Sequence, residues 1–154
     1  MSFEISCSCQ HNELVLNGPV IMRFICHCLI CQNVYQAPYA DVVVAWKNDV
    51  ITTKFQSIDF KKFRMPPAVN RGICIQCKKP VYGYLKSYVK HDLAFIPAQN
   101  FKDSSLLPEP CLHEFYHRAV SPVADDLPKY YGYMHSMFGL SKALLKNIYT
   151  ADNA

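Results

Sequence analysis

The sequence predicts a mostly β domain stapled by bound metal and closed by a short C-terminal helix, and three observations predict it. Short runs of strand-forming residues recur between turn signals. Seven of the eight cysteines fall into three tight clusters. Beyond residue 103 prolines interrupt the pattern, and an apolar repeat of helical period follows them.

Residues 13–16 and 20–25 are apolar, β-branched runs on either side of Asn17-Gly18-Pro19, which reads as a hairpin turn. Residues 39–46 and 50–55 flank Lys47-Asn48-Asp49 in the same way. Further strands are expected at residues 57–63, 71–75, 81–85, 93–96 and 112–117. Pro108, Pro110, Pro122 and Pro128 then mark irregular connections. Leu140, Leu144 and Ile148 recur at helical spacing, with Ser136 or Ser141 as the cap, so a short helix packs its apolar face on the sheet. No repeat or linker divides the chain. The expected organisation is a zinc-binding β domain over residues 1–132 and a helical extension over residues 133–154 packed on it.

A chain of 154 residues buries a core without covalent crosslinks. Its N-terminus, Met1-Ser2-Phe3-Glu4-Ile5-Ser6, has neither the basic flank nor the apolar run of a signal peptide, and no stretch reaches membrane-spanning length. The expectation is a soluble cytoplasmic protein, where reducing conditions favour clustered cysteines as metal ligands over disulfides.

The clusters are Cys7-Ser8-Cys9, Cys26-His27-Cys28-Leu29-Ile30-Cys31 and Cys74-Ile75-Gln76-Cys77. Such spacings bring two thiolates to one ion about 2.3 Å from each sulfur. Closed zinc sites take four ligands, so seven donors divide into one complete set and one a ligand short. Cys26, Cys28 and Cys31 are near enough in sequence to hold an ion alone. Cys7 and Cys9 must then combine with Cys74 and Cys77, closing a loop of more than sixty residues, which makes that binding part of folding. The three-thiolate set leaves a position for a water, a substrate or a distant donor such as His11, His113 or His117. His27 is a poor donor there, because in an extended segment it faces away from Cys26 and Cys28.

Three thiolates outweigh a divalent ion, which makes such a site a weak Lewis acid but a good partner for a fourth, soft sulfur. The chemistry indicated is sulfur chemistry rather than hydrolysis. A thioredoxin-like dithiol reading of Cys28 and Cys31 or of Cys74 and Cys77 needs the motif at the start of a helix after a strand, in a βαβ pattern the sequence does not display. Seven thiolates and two divalent ions would lower the formal charge of +4 to +1, which weakens a global case for nucleic acid. The basic residues Lys54, Lys61, Lys62, Arg64, Arg71, Lys78 and Lys79 still permit a rim that attracts carboxylates, a phosphate-binding patch or a solvated face. Trp46, Tyr35 and Tyr39 either wall a pocket or fill the core. Cys111 stands alone as a free thiol.

In the order and spacing of these seven cysteines the chain resembles the glutathione-dependent formaldehyde-activating enzyme and centromere protein V family. The segments His113-Glu114-Phe115-Tyr116-His117 and Asp125-Asp126-Leu127-Pro128-Lys129-Tyr130 are similar as well, so the likeness covers roughly residues 3–131. The resemblance implies a β-tent of antiparallel sheets and two zinc ions. Cys7, Cys9, Cys74 and Cys77 would hold the structural ion, and Cys26, Cys28 and Cys31 the catalytic one. It also implies carbon-sulfur lyase chemistry on a glutathione-like thiol adduct such as S-hydroxymethylglutathione. The alternative is a non-enzymatic zinc module that contacts protein or nucleic acid through its basic face. Two segments depart from the family pattern: Lys78-Lys79-Pro80, where glycine and a small hydroxyl residue are expected, and residues 64–71, where a small, serine-rich stretch is expected.

Overall fold

The computed structural model describes residues 1–54, 57–66, 68–87 and 91–152. Among the described residues ten strands form two sheets: β1 (Phe3–Ser6), β2 (Glu13–Leu16), β3 (Val20–Cys26), β4 (Ala40–Trp46), β5 (Val50–Lys54), β6 (Ile58–Lys62), β7 (Asn70–Cys74), β8 (Pro80–Leu85), β9 (Leu93–Pro97) and β10 (His113–Glu114). The small sheet runs β1-β2-β5 and the large one β10-β3-β4-β9-β8-β7-β6. Pairing is antiparallel except between β10 and β3. Two helices, α1 (Leu29–Tyr35) and α2 (Tyr133–Asp152), complete the mostly β fold. Among the described residues no helix is long and apolar enough to cross a membrane.

Both expected hairpins turn out to be corners. β2 pairs with β5 and β3 with β4, so Asn17-Gly18-Pro19 and Lys47-Asn48-Asp49 carry the chain from one sheet to the other side by side. The Asn17 N–H donates to the Asp49 carbonyl at 2.8 Å. At this crossing Gly18 packs against the Asp49 side chain, which an added Cβ would have to displace. Alternation along the strands then separates two cores. Ile5, Leu14 and Leu16 of the small sheet meet Val43, Ile96 and Val81 of the large one. All six are almost fully buried, and truncating one of the larger side chains to alanine would cost about 2–5 kcal/mol.

On its other face the large sheet presents Met22, Phe24, Val42 and Val44, packed against Leu140, Leu144 and Ile148 of α2. The apolar stripe read from the sequence therefore packs on the sheet as expected, although the helix is 20 residues long. It starts after Gly132, whose φ of +78° is the left-handed region open to glycine. Neither serine caps it. Ser136 lies inside the helix, fully buried, where its Oγ accepts the Phe115 N–H at 2.9 Å. The strand expected at residues 112–117 shrinks to two residues because Phe115 turns to φ +51°. Residue 55, at the end of the strand expected over 50–55, lies outside the described residues.

Candidate metal centres and the adjoining cavity

The first cluster forms where the turn after β1 meets the end of β7. Cys7, Cys9, Cys74 and Cys77 bring their four Sγ atoms within 4.8 Å of one another. Cys7 and Cys9 are 3.5 Å apart and Cys9 and Cys74 are 3.7 Å apart. A tetrahedral zinc site with sulfur at 2.3 Å has edges of about 3.8 Å, so this donor set fits the ion. Asn12, fully buried, donates its backbone N–H to the Cys7 Sγ at 3.4 Å and holds the knuckle closed. Hydrogen bonding from Asn12 and the neighbouring thiols, working against burial, brings the Cys7 pKa down to about 7, toward the thiolate a metal needs.

The second cluster, Cys26, Cys28 and Cys31, also gathers its sulfurs within 4.8 Å. Cys26 ends β3, Cys28 is the N-cap of α1, and Cys31 stands on the first turn of that helix. The Cys28 Sγ accepts the Cys31 N–H at 3.3 Å, the capping role that oxygen side chains usually fill. Cys26 and Cys31 donate to Cys28 and hold its pKa down to about 2, while the same contact pushes Cys26 up. One thiolate is thus stabilised by its crowded neighbours, while Cys26 and Cys31 are pushed up and would give up their protons only to a metal. Helix α1 is a correction to the sequence reading: Cys28 and Cys31 do stand at the start of a helix after a strand. The thioredoxin-like geometry still fails, since β4 returns antiparallel to β3 and a third thiol shares the site.

His27 faces away from the cysteines, as alternation requires. Its Nε2 lies 2.9 Å from His113 Nδ1, and His113 Nε2 lies 2.8 Å from the Asp125 carboxylate. Asp125 accepts from His113, whose Nδ1 then accepts from His27, leaving His27 Nδ1 buried without a partner. Burial lowers the His27 pKa, which favours the neutral ring that this bonding assigns. His113 is therefore engaged in this network and not with the thiols. His117 lies beside the cavity and accepts the Gly132 N–H at 2.8 Å.

A cavity of about 430 Å³ opens on the second cluster and not on the first. Its sheet side is made by Phe24, Val42, Tyr82 and Phe95, and its helical wall by Tyr35 of α1 and Tyr133, Met137 and Leu140 of α2. Tyr35 thus walls the pocket, whereas Tyr39 lines a separate cavity and Trp46 packs at the edge of the core. Arg64, Arg71 and Arg118 also line it. The Arg71 guanidinium lies 3.7 Å from the Cys31 Sγ, and Arg64 donates to the Tyr133 hydroxyl at 3.0 Å. Elsewhere in the basic stretch Lys61 pairs with Asp59 at 2.9 Å and Lys79 bonds Gln36 at 3.2 Å.

Glu114, which the sequence reading passed over, is the acid of this cavity. It sits opposite Cys26 in the β10–β3 ladder, 3% exposed, with Oε1 lacking any partner. Burial, and then the negative charge of Cys28, raise its pKa to about 8, which favours the protonated form. The signal in the sequence is a lone carboxylate between His113 and Phe115, in a segment whose apolar members Leu112 and Phe115 mark it as a strand.

Comparison with curated proteins finds no match. Residues 2–118 match the family described as glutathione-dependent formaldehyde-activating enzyme, a span that includes both thiol clusters and Glu114 and stops short of α2. With more than half of the chain matched, this protein belongs to the glutathione-dependent formaldehyde-activating enzyme family.

Proposed function

We propose that this protein is a zinc-dependent enzyme of carbon-sulfur lyase type that makes or breaks the adduct of a small, glutathione-like thiol with an aldehyde. Cys7, Cys9, Cys74 and Cys77 hold a structural ion; Cys26, Cys28 and Cys31 hold the catalytic one. The observation that carries this reading is the contrast between the clusters: the four-thiol set is closed and away from the cavity, while the three-thiol set opens on it. Zinc at the open set would supply a Lewis-acidic position where a thiol loses its proton and docks as its thiolate.

The chain's own residues supply the rest. Three cysteine thiolates and a substrate sulfur exceed a divalent charge by two, and Arg71 and Arg64 offset that excess from the cavity wall. Glu114, next to the cluster and with Oε1 free of any partner, can deliver a proton to the aldehyde oxygen as the sulfur adds to carbon. In the reverse direction the carboxylate takes that proton back as the carbon-sulfur bond breaks. We take residues 133–154 as an extension of the unit of residues 1–132, a reading supported by Tyr133, Met137 and Leu140, which wall the cavity.

The test combines metal content, sulfur coordination by X-ray absorption, and turnover of S-hydroxymethylglutathione. Wild type should carry two zinc ions and respond to glutathione by gaining a sulfur neighbour. Cys28→Ala should lose one ion and that response. Glu114→Gln should keep both ions and lose about 10²–10⁴-fold in rate, the usual contribution of a positioned acid. Two ions each held by four protein ligands, with no response to thiols, would overturn the reading.

A further inference from the structure

We infer that the adduct taken at this site carries a hydrophobic group on its reacting carbon, so that the substrate class is the hemithioacetal of an anionic thiol with a hydrophobic aldehyde. This deepens the reading above and rests on it. S-Hydroxymethylglutathione presents one carbon and one oxygen beyond its sulfur. The cavity that starts at Cys26, Cys28 and Cys31 offers much more, and most of it is apolar.

The sheet side explains why. β3, β4, β8 and β9 turn Phe24, Val42, Tyr82 and Phe95 toward the same cavity. Phe24 and Val42 are buried, yet Phe95 and Tyr82 keep part of their surface exposed. Met137 of α2, also partly exposed, faces this floor from the helical wall. A polar peptide laid on such a surface loses water without regaining hydrogen bonds, whereas each methylene buried there raises affinity about fourfold. The charged groups define the other end of the ligand. Among the described residues three arginines and one acid, Glu114, line the cavity, a balance suited to the carboxylates of the thiol portion.

The α2 wall lies outside residues 2–118, the span matched to the family, so the family match by itself does not define this side of the cavity. The chemistry balances without a further reactant. The carbon-sulfur bond breaks with its electron pair on sulfur, the hydroxyl proton leaves oxygen as the carbonyl forms, and the sulfur takes up a proton; nothing is oxidised or reduced.

The experiment is calorimetric titration of the zinc-loaded protein with glutathione, S-methylglutathione and S-hexylglutathione. S-Hexylglutathione should bind about 100-fold tighter than S-methylglutathione, five methylenes at partial burial. Phe95→Ser on the sheet and Met137→Ser on the helix should each reduce that ratio at least tenfold. Two positions on different elements keep the test valid if one variant fails to fold. Equal binding of the two S-alkyl compounds, with glutathione still bound, overturns the hydrophobic substituent and leaves the thiol reading standing. Failure of all three compounds to bind overturns the thiol reading and this inference together.

Discussion

Losing one thiol from the four-cysteine cluster should cost the fold more than losing one from the three-cysteine cluster. Cys9 and Cys74 lie 65 positions apart, and their sulfurs meet at 3.7 Å. A crosslink over such a loop removes roughly 4 kcal/mol of loop entropy from the unfolded chain. Cys26 and Cys31 close a loop of only a few residues. Since the closure term grows as the logarithm of loop length, the two sites should differ by about 2 kcal/mol. For a domain of this size that is a difference of about 4–8 °C in melting temperature. The assay is differential scanning calorimetry on wild type, Cys74→Ser and Cys28→Ser, each with and without a zinc chelator. Chelator should lower wild type toward Cys74→Ser and change that variant least. Equal losses in the two variants, or a larger one in Cys28→Ser, would refute the assignment of the long-range set as the structural staple.

Two further outcomes follow from the packing and charges around α2 and β10. Gly139→Ala should destabilise by about 1–3 kcal/mol in urea melts, because the new Cβ would sit 2.5 Å from the Tyr130 ring. Alanine's helix propensity would by itself favour the variant by about 1 kcal/mol, so a stabilised Gly139→Ala would mean that the helix is not docked there. Lys129, and then His113, hold the Asp125 pKa at about 2, below its ordinary 3.8. A carboxylate with a lowered folded pKa adds stability above its ordinary value and loses it as pH falls toward the folded one. Asp125→Asn should therefore flatten the acid limb of the stability profile between those two pH values, measured in chelator; an unchanged limb would show that the ion pair does not contribute.

Much of the architecture is legible in the residues because strand alternation and cysteine spacing are local signals. β2 is bounded as the pattern indicates, and β3, β4 and β6 through β9 lie within a residue or so of their expected limits. The features that escape are those set by tertiary contact. Phe3-Glu4-Ile5-Ser6 alternates correctly, but four residues carry little signal before β2 gives them a partner. Helix α1 hides because its cap is a thiol and its seven residues are too few for a period to emerge. The corners at Gly18 and Asp49 read as hairpin turns, since only the pairing of β2 with β5 reveals that the sheets differ. At the site, spacing yields all seven cysteines. It does not yield Glu114, whose role depends on the parallel step that lays His113 and Glu114 beside Ile25 and Cys26.

The wide separation of Cys9 from Cys74 also orders events during synthesis. Once residue 31 has left the ribosome, the nascent chain holds every sulfur of the three-thiol cluster. Cys7 and Cys9 must wait until Cys77 emerges, several seconds later at ordinary rates of translation. In that interval they are bare thiols, open to oxidants or to a misplaced metal. Starving growing cells of zinc should therefore harm newly made chains far more than finished ones.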